Sequence, residues 1–381
     1  MKNLIFIYLI LFLIYSFNCS FQSKLFNRMN KGKIGENLII SPLSIFQALS
    51  LAANGAKGDT LSEMIDLLEA PSIDDLNIIN YEIISAINKF KTIDIANALM
   101  TKFSPLQDFI DIAEQYCAPV EPLESVEQVN DWCSEKTHGK INKILDNLNP
   151  ETVMIILNAV YFKDEWLSQF PEGLTKDLPF YNFGTTETNV KTMTQIEYFG
   201  YYEDKKVQAL EMEFLHDRMS ALIILPAEGI DINNYINTLS TSNEEYKKIV
   251  NGLKMAKVHI QLPKFEVNFS DKLNEVLEDL GMYNAFKSGY ADFRGLREEG
   301  ELYINNVIHK TYLKVNELGT EAAAVTIISV DEESVEDDEE KIIYDMKVNR
   351  PFLFLLKNDR LPAGYDLVFM AKIEFIEDNQ E

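Results

Sequence analysis

The chain predicts an α+β fold built on large, mostly antiparallel sheets. Helical spacing of apolar residues is concentrated before residue 140, and runs of strand character dominate after residue 150. Met154-Ile155-Ile156-Leu157 is a continuous apolar run, the mark of a strand covered on both faces. No Pro/Gly/Ser-rich linker and no internal repeat interrupts residues 20–330. One domain over 17–381 is therefore expected, although 381 residues would accommodate two or three.

Taken in order, the elements begin with MKNLIFIYLILFLIYSFNCS. Lys2 supplies a positive charge and Leu4–Tyr15 an apolar stretch, short of the ~20 residues a spanning helix needs. Ile14 and Ser16 make a cleavage site before Phe17, so residues 1–16 read as a secretory leader and the protein as secreted and extracellular. Asn18 and Asn268 head N-x-S sequons, which that pathway would glycosylate. Gly58–Glu63 reads as a turn and a capping box, with Thr60 bonding an amide near Glu63 and Glu63 bonding back. Residues 105–117 and 124–136 carry helical spacing. Val258, Ile260 and Leu262 alternate with polar neighbours, as in a half-exposed strand. PFLFLL (351–356) and YDLVFMAKIEFIE (365–377), joined across Leu361–Gly364, predict a buried hairpin.

Composition narrows the function. Hydrophobic residues make up 46% and aromatic residues 11%, enough for a large core. Lys and Arg total 35 against 60 Asp and Glu, a formal net charge of −25, which repels phosphate backbones and other polyanions. Eight of the acids lie within 331–340. Cys19, Cys117 and Cys133 are an odd set at no metal spacing, allowing one disulfide or none. HExxH, CxxC, Walker and G-x-S-x-G motifs are absent from the sequence. Gly55–Thr60 has its lysine misplaced for a phosphate loop and reads as a turn before a helix. His309, on one face with Val307 and Thr311, reads as a satisfied interior histidine. No nucleophile–base set, metal site or cofactor site is expected, and no enzyme.

One stretch is harder to place. In VNELGTEAAAVTIISVDEESVEDDEE (315–340), residues 320, 322, 324, 326, 328 and 330 would share one face of an extended chain. They are Thr, Ala, Ala, Thr, Ile and Val, small and then β-branched, without charge until Glu332. Patterning alone fits either an edge strand followed by a solvated acidic loop, or a stripe able to slide between two strands.

That stretch resembles the reactive-loop hinge of serpins, protease inhibitors that trap their targets. ENLIISPLSI (36–45), GAKGDT (55–60), VNDWCSEKTHGKI (129–141) and NAVYFKDEW (158–166) resemble further serpin blocks, in the family's order. So do LPKFEV (262–267), DFRGL (292–296), VIHKTYLKVNELGTEAAA (307–324) and NRPFLFLL (349–356). The likeness covers about residues 18–375. It implies three sheets, about nine helices and an exposed reactive-centre loop over about 317–346. Ser41, Ser44, Asn158 and His309 match the polar cluster beneath the central sheet, and Trp166 the point where insertion starts. Lys264 and Glu317 match an ion pair at the loop base. Glu317, Gly319, Thr320, Glu321, Ala322, Ala323 and Ala324 match the hinge.

The resemblance further implies a monomer acting as a suicide substrate. A target endopeptidase, of serine type by the family's name, would attack the loop and form an acyl-enzyme. The freed segment would then insert as a new central strand and disable the protease before hydrolysis. The alternatives are a non-inhibitory carrier or chaperone, or a cross-class inhibitor of a cysteine protease. The family's spacing from Gly319 places the cut at Glu333–Ser334; counted back from Pro351 it falls near Glu340–Lys341. The first count is preferred, since the second would thread many carboxylates into a sheet. Asp331, Asp338 and Glu340 are alternative positions. An acidic residue before the bond excludes trypsin-like targets and suits granzyme-B-like, glutamyl-specific or caspase-like enzymes. Ala371 departs from a usual glycine. Lys89 and Lys91 alone are basic over 86–95, so no heparin-like cofactor is expected.

Overall fold

The computed structural model describes residues 21–140, 142–320, 342–362 and 364–377. The leader, Asn18, Cys19, the hinge residues Glu321 and Ala322–Ala324, and every candidate bond (Asp331, Glu333–Ser334, Asp338, Glu340) lie outside the described residues. Six helices precede the main run of strands: α1 (Phe21–Lys31), α2 (Pro42–Gly55), α3 (Gly58–Leu67), α4 (Ile73–Ile87), α5 (Gln107–Gln115) and α6 (Val126–Lys136). Three follow: α7 (Ile232–Thr241), α8 (Asn243–Gly252) and α9 (Asn274–Asp279). In α2 nearly every side chain is buried, so it runs through the interior. Ser41 caps it and Pro42 occupies its first turn, where no N–H partner is needed.

The helix at 105–117 is shorter than its periodicity predicts. Pro105 and Leu106 stay extended ahead of α5, and Cys117 takes a left-handed φ of 52° just past its end. The capping box at Thr60 and Glu63 does not form. Helix α3 already starts at Gly58, and both side chains serve tertiary contacts instead. Thr60 Oγ1 accepts the N–H of Asp292 at 3.0 Å, and a Glu63 carboxylate oxygen accepts the N–H groups of Tyr283 and Asn284. Cys117 and Cys133 are both free thiols. Burial pushes the Cys133 thiol up to about 12.

The strands are β1 (Leu38–Ile40), β2 (Ile93–Thr101), β3 (Val120–Pro122), β4 (Met154–Phe162), β5 (Asp164–Glu165), β6 (Lys176–Asn182), β7 (Thr186–Glu203) and β8 (Val207–Glu213). They continue with β9 (Met219–Pro226), β10 (Lys254–Pro263), β11 (Phe265–Lys272), β12 (Asn306–Asn316), β13 (Gly319–Thr320), β14 (Ile343–Lys347), β15 (Phe352–Asn358) and β16 (Leu367–Ile373). Three sheets are expected, but hydrogen bonds join the strands into two ladders among the described residues. The 18-residue β7 is the reason: β10 lies along one edge, while β6 and β8 share the other at opposite ends. The nine-stranded ladder runs β1-β16-β15-β9-β8-β7-β10-β14, with β6 on β7. It contains the C-terminal hairpin, paired antiparallel from Phe352↔Ile373.

The seven-stranded ladder runs β3-β2-β4-β12-β13-β5, with β11 on β12. Its centre is the parallel pair β4–β12, from Asn306↔Ile155 to Thr311↔Val160. Every residue of β4 is buried because both faces are covered. Met154, Ile156, Val160 and Phe162 face the main core with Val307, Leu313 and Val315. Ile155, Leu157 and Ala159 face a second core under α6, with Ile308, Tyr312, Val129 and Cys133. Asn268 is exposed on β11.

Candidate functional site: the centre and upper end of the seven-stranded sheet

His309 sits at the middle of β12, opposite Asn158 of β4 and with no exposed surface. Its Nε2 accepts the backbone N–H of Ser41 at 3.1 Å, which leaves the ring proton on Nδ1, bonded to Asn158 Oδ1. Ser44 Oγ donates to the same oxygen at 2.7 Å, and Asn158 Nδ2 donates to Asn97 Oδ1. Thr311, one face-repeat along β12, donates to the carbonyl of Ile39 at 2.9 Å. Ser41, Ser44, Asn158, His309 and Thr311 are therefore all hydrogen-bonded within the interior, in a set that joins helix α2 to the central strands β2, β4 and β12. Burial pushes His309 down to about 3, so the ring is neutral across the physiological range.

The upper end of the sheet is built differently. Above Thr311↔Val160 the strands β4 and β12 no longer pair directly. Gly319 and Thr320 lie between their extensions, antiparallel to Val315 and Asn316 on one side and to Asp164 and Glu165 on the other. Within the range 317–346, Gly319–Thr320 and the residues from Ile343 onward are thus held in strands, β13 and β14. Gly319 has φ 147°, and a Cβ there would lie 2.7 Å from Glu165 Cα and closer still to the Asp164 carbonyl oxygen. Only glycine fits that approach. Thr320 is fully buried; its Oγ1 accepts the N–H of Asp164 at 3.1 Å.

Trp166 closes the top of this cleft. It is 1% exposed, stacks on Phe214 with centroids 4.2 Å apart, and donates from Nε1 to the carbonyl of Asn316 at 3.0 Å. Its backbone N–H donates to the Leu318 carbonyl at 2.9 Å. Beside it, Lys264 Nζ and the Glu317 carboxylate stand 2.9 Å apart, and Thr175 Oγ1 donates to the same carboxylate at 2.8 Å. Burial pushes the Glu317 carboxyl up, but Lys264 and Thr175 outweigh it and hold it below its ordinary range.

The site residues named from the sequence thus fall into two groups on one sheet. Ser41, Ser44, Asn158 and His309 meet at its centre; Trp166, Lys264, Glu317, Gly319 and Thr320 meet at its top. Sequence reasoning missed Asn97, Thr175 and above all Asp164 and His216. Asp164 Oδ1 lies 2.8 Å from His216 Nδ1, directly behind the hinge. Nothing in the local pattern of either residue signals the contact, because 52 residues separate them.

Comparison with known proteins bears on the fold and the family. The leukocyte elastase inhibitor of Xenopus tropicalis is 31% identical over 360 residues, covering 89% of this chain and 94% of that protein. Intracellular coagulation inhibitor 2 of Tachypleus tridentatus is 31% identical, covering 85% and 83%. The native-state crystal structure of tengpin, a thermophilic serpin, is 33% identical, with a TM-score of 0.83 over 94% of this chain and 93% of that one. Human thyroxine-binding globulin complexed with thyroxine is 26% identical, with a TM-score of 0.83 over 94% and 97%. The family model described as "Serpin (serine protease inhibitor)" matches residues 16–373. The chain belongs to the serpin family.

Proposed function

We propose that this serpin is a secreted suicide inhibitor of an endopeptidase, and that cleavage near Glu333 lets the loop enter the seven-stranded sheet between β4 and β12. The observation that carries the reading is the register of the hinge. Thr320 pairs with both Val315 and Asp164, and continuing that antiparallel register dictates every later position. Ala322 falls between Leu313 and Phe162, and Ala324 between Thr311 and Val160. Thr326 comes between His309 and Asn158, where it would replace their direct hydrogen bond. Ile328 comes between Val307 and Ile156. These neighbours line the main core, so the small and β-branched stripe enters a buried face without charge.

The intervening residues face the other way. Glu321 would lie between Lys163 and Lys314, both with exposed surface, which makes a carboxylate tolerable there. Ile327 would lie between Leu157 and Ile308, in the small core beneath α6. Val330 reaches the foot of the sheet, since β4 starts at Met154 and β12 at Asn306. A cut at Glu333 leaves a short overhang there. A cut at Asp338 or Glu340 would carry more carboxylates past the foot, which favours Glu333–Ser334 over the later bonds.

The family match begins at residue 16, which supports reading 1–16 as a detachable leader, and Asn268 is exposed for glycosylation. A relative named for an intracellular role leaves secretion resting on the leader alone. A carrier role is the second reading, favoured by the likeness to thyroxine-binding globulin. The two separate on incubation with serine and cysteine proteases that cut after acidic residues. Inhibition yields an SDS-resistant complex of the combined mass and a released peptide starting at Ser334. Clean cleavage by every protease, with no such complex, would overturn the inhibitor.

A further inference from the structure

Strand β5 is two residues long and cannot hold itself, yet it grips the hinge through Thr320. What fixes it is the hairpin of β8 and β9, which belongs to the other sheet. Leu215 N–H donates to the Glu165 carbonyl at 2.8 Å and Leu167 N–H to the Glu213 carbonyl at 2.9 Å. The Asp164 carboxylate completes the connection. It accepts the backbone N–H groups of Glu165 at 2.8 Å and His216 at 3.2 Å, and faces His216 Nδ1 at 2.8 Å. The hairpin's turn is a firm anchor. Asp217 and Arg218 both take left-handed φ values of 56°, as a tight hairpin turn requires, and Met219 N–H closes the turn on the His216 carbonyl at 3.1 Å. Asn358 Nδ2 of β15 donates to the Asp217 carbonyl at 2.8 Å and ties the turn to the other sheet, whereas the Asp217 carboxylate, accepting Lys91 N–H at 2.7 Å and Thr92 Oγ1 at 3.0 Å, adds to the link with β2.

To admit a new strand, β2, β4 and β5 must move away from β12, and therefore against this hairpin. We propose that Asp164 and His216 are positioning residues that strap the β2–β4–β5 half of the sheet to the β8–β9 hairpin, and that a proton gained by His216 tightens the strap, slowing sheet opening as the pH falls. This rests on the insertion reading above.

The sign follows from linkage. The His216 side chain is 56% exposed and open to solvent protons, whereas the Asp164 side chain is 1% exposed. Protonation turns their contact into a charge-assisted hydrogen bond, made only while the strap is closed. A proton on the ring therefore favours closure. Burial also pushes the Asp164 carboxyl up, and a carboxyl that takes a proton more readily when buried acts in the same direction. The other charges around the pair are Lys163 just before β5, Glu165 within it, Lys91 before β2, Asp217 and Arg218 in the turn, and Asp359 and Arg360 behind it. Gln169 Nε2 donates to the Glu165 carboxylate, and Arg218 stands 3.5 Å from Asp359.

Two measurements on the intact protein test this. Amide hydrogen exchange over 164–167 and 213–218, corrected for its intrinsic pH dependence, reads the strap directly. Protection should rise about three- to tenfold from pH 8 to 5.5, and the rise should vanish in His216→Gln. The same slope in His216→Gln, or no slope in the native protein, overturns the strap. Annealing of a synthetic peptide matching residues 320–333, followed through Trp166 fluorescence in a Trp132→Phe background, reads sheet opening. It should slow by the same factor over the same range. Exchange that slows while annealing does not would overturn the positioning role. A peptide that never enters, beside normal exchange behaviour, would instead refute insertion itself and this role with it.

Discussion

His309 carries a consequence that belongs to one residue. Its Nε2 faces a backbone N–H, so a second ring proton would set donor against donor in a dry site. The folded pKa lies at about 3, below the ordinary 6.5, so between these values the unfolded chain binds the proton that the folded chain refuses. Stability contributed by the neutral ring is whole above pH 6.5 and declines as the pH falls toward 3. From pH 7 to 5 the loss should be about 2 kcal/mol. Urea unfolding at a series of pH values checks this: His309→Gln should be less stable throughout but should lack that part of the slope. The effect would oppose the strap proposed at Asp164 and His216, so a global melt and a local exchange measurement should move in opposite directions.

At the scale of elements, what could be read in advance was whatever a short stretch must do alone. Gly319 followed by small residues announces a segment that approaches other backbone closely, and the structure uses it that way at Asp164 and Glu165. The apolar run of β4, the alternation of β10 and the C-terminal hairpin were legible for the same reason. Contacts between distant residues were not. Thr60 and Glu63 carry the chemistry of a capping box, yet the segment near 283–292 claims both side chains. The merging of two expected sheets depends on which edge of β7 each partner takes, which no local pattern records. Asp164 looks like a surface acid beside Lys163 until the β8–β9 turn covers it.

The hinge register makes a prediction at this same scale. Glu321 is the first residue that would enter below Thr320, facing Lys163 and Lys314. Glu321→Lys would set like charges across both new strand pairs, each costing up to about 1 kcal/mol. Insertion should slow about five- to tenfold. With a protease that forms the complex, more inhibitor should be cleaved without trapping. Titrating residual protease activity against inhibitor reads the change as a higher stoichiometry of inhibition. An unchanged stoichiometry would mean that Glu321 does not enter in this register.

The whole molecule explains why insertion should run downhill. In the structure β4 and β12 pair parallel to each other at the centre of an otherwise largely antiparallel sheet. A strand continuing from Thr320 is antiparallel to both, so insertion exchanges one parallel ladder for two antiparallel ones, which bond somewhat better per residue. It also buries Ile328 and Val330, and leaves the carboxylates of 331–333 beyond the sheet's foot in water. On the proposed insertion mechanism, the uncut form would be held by a barrier, not by depth of its free-energy well. Its parts would be the proposed strap behind β5, the polar cluster at His309 and the connection of 321–341 to β14. Cutting within 331–340 removes only the last. Differential scanning calorimetry before and after such a cut should show the melting temperature rising by on the order of tens of degrees. Ala324→Arg should abolish the rise, because a guanidinium would meet Thr311 and Val160 on the buried face. Cut protein that melts with uncut protein would mean that the resting sheet is already the stable one, and that the loop gives only a site of attack.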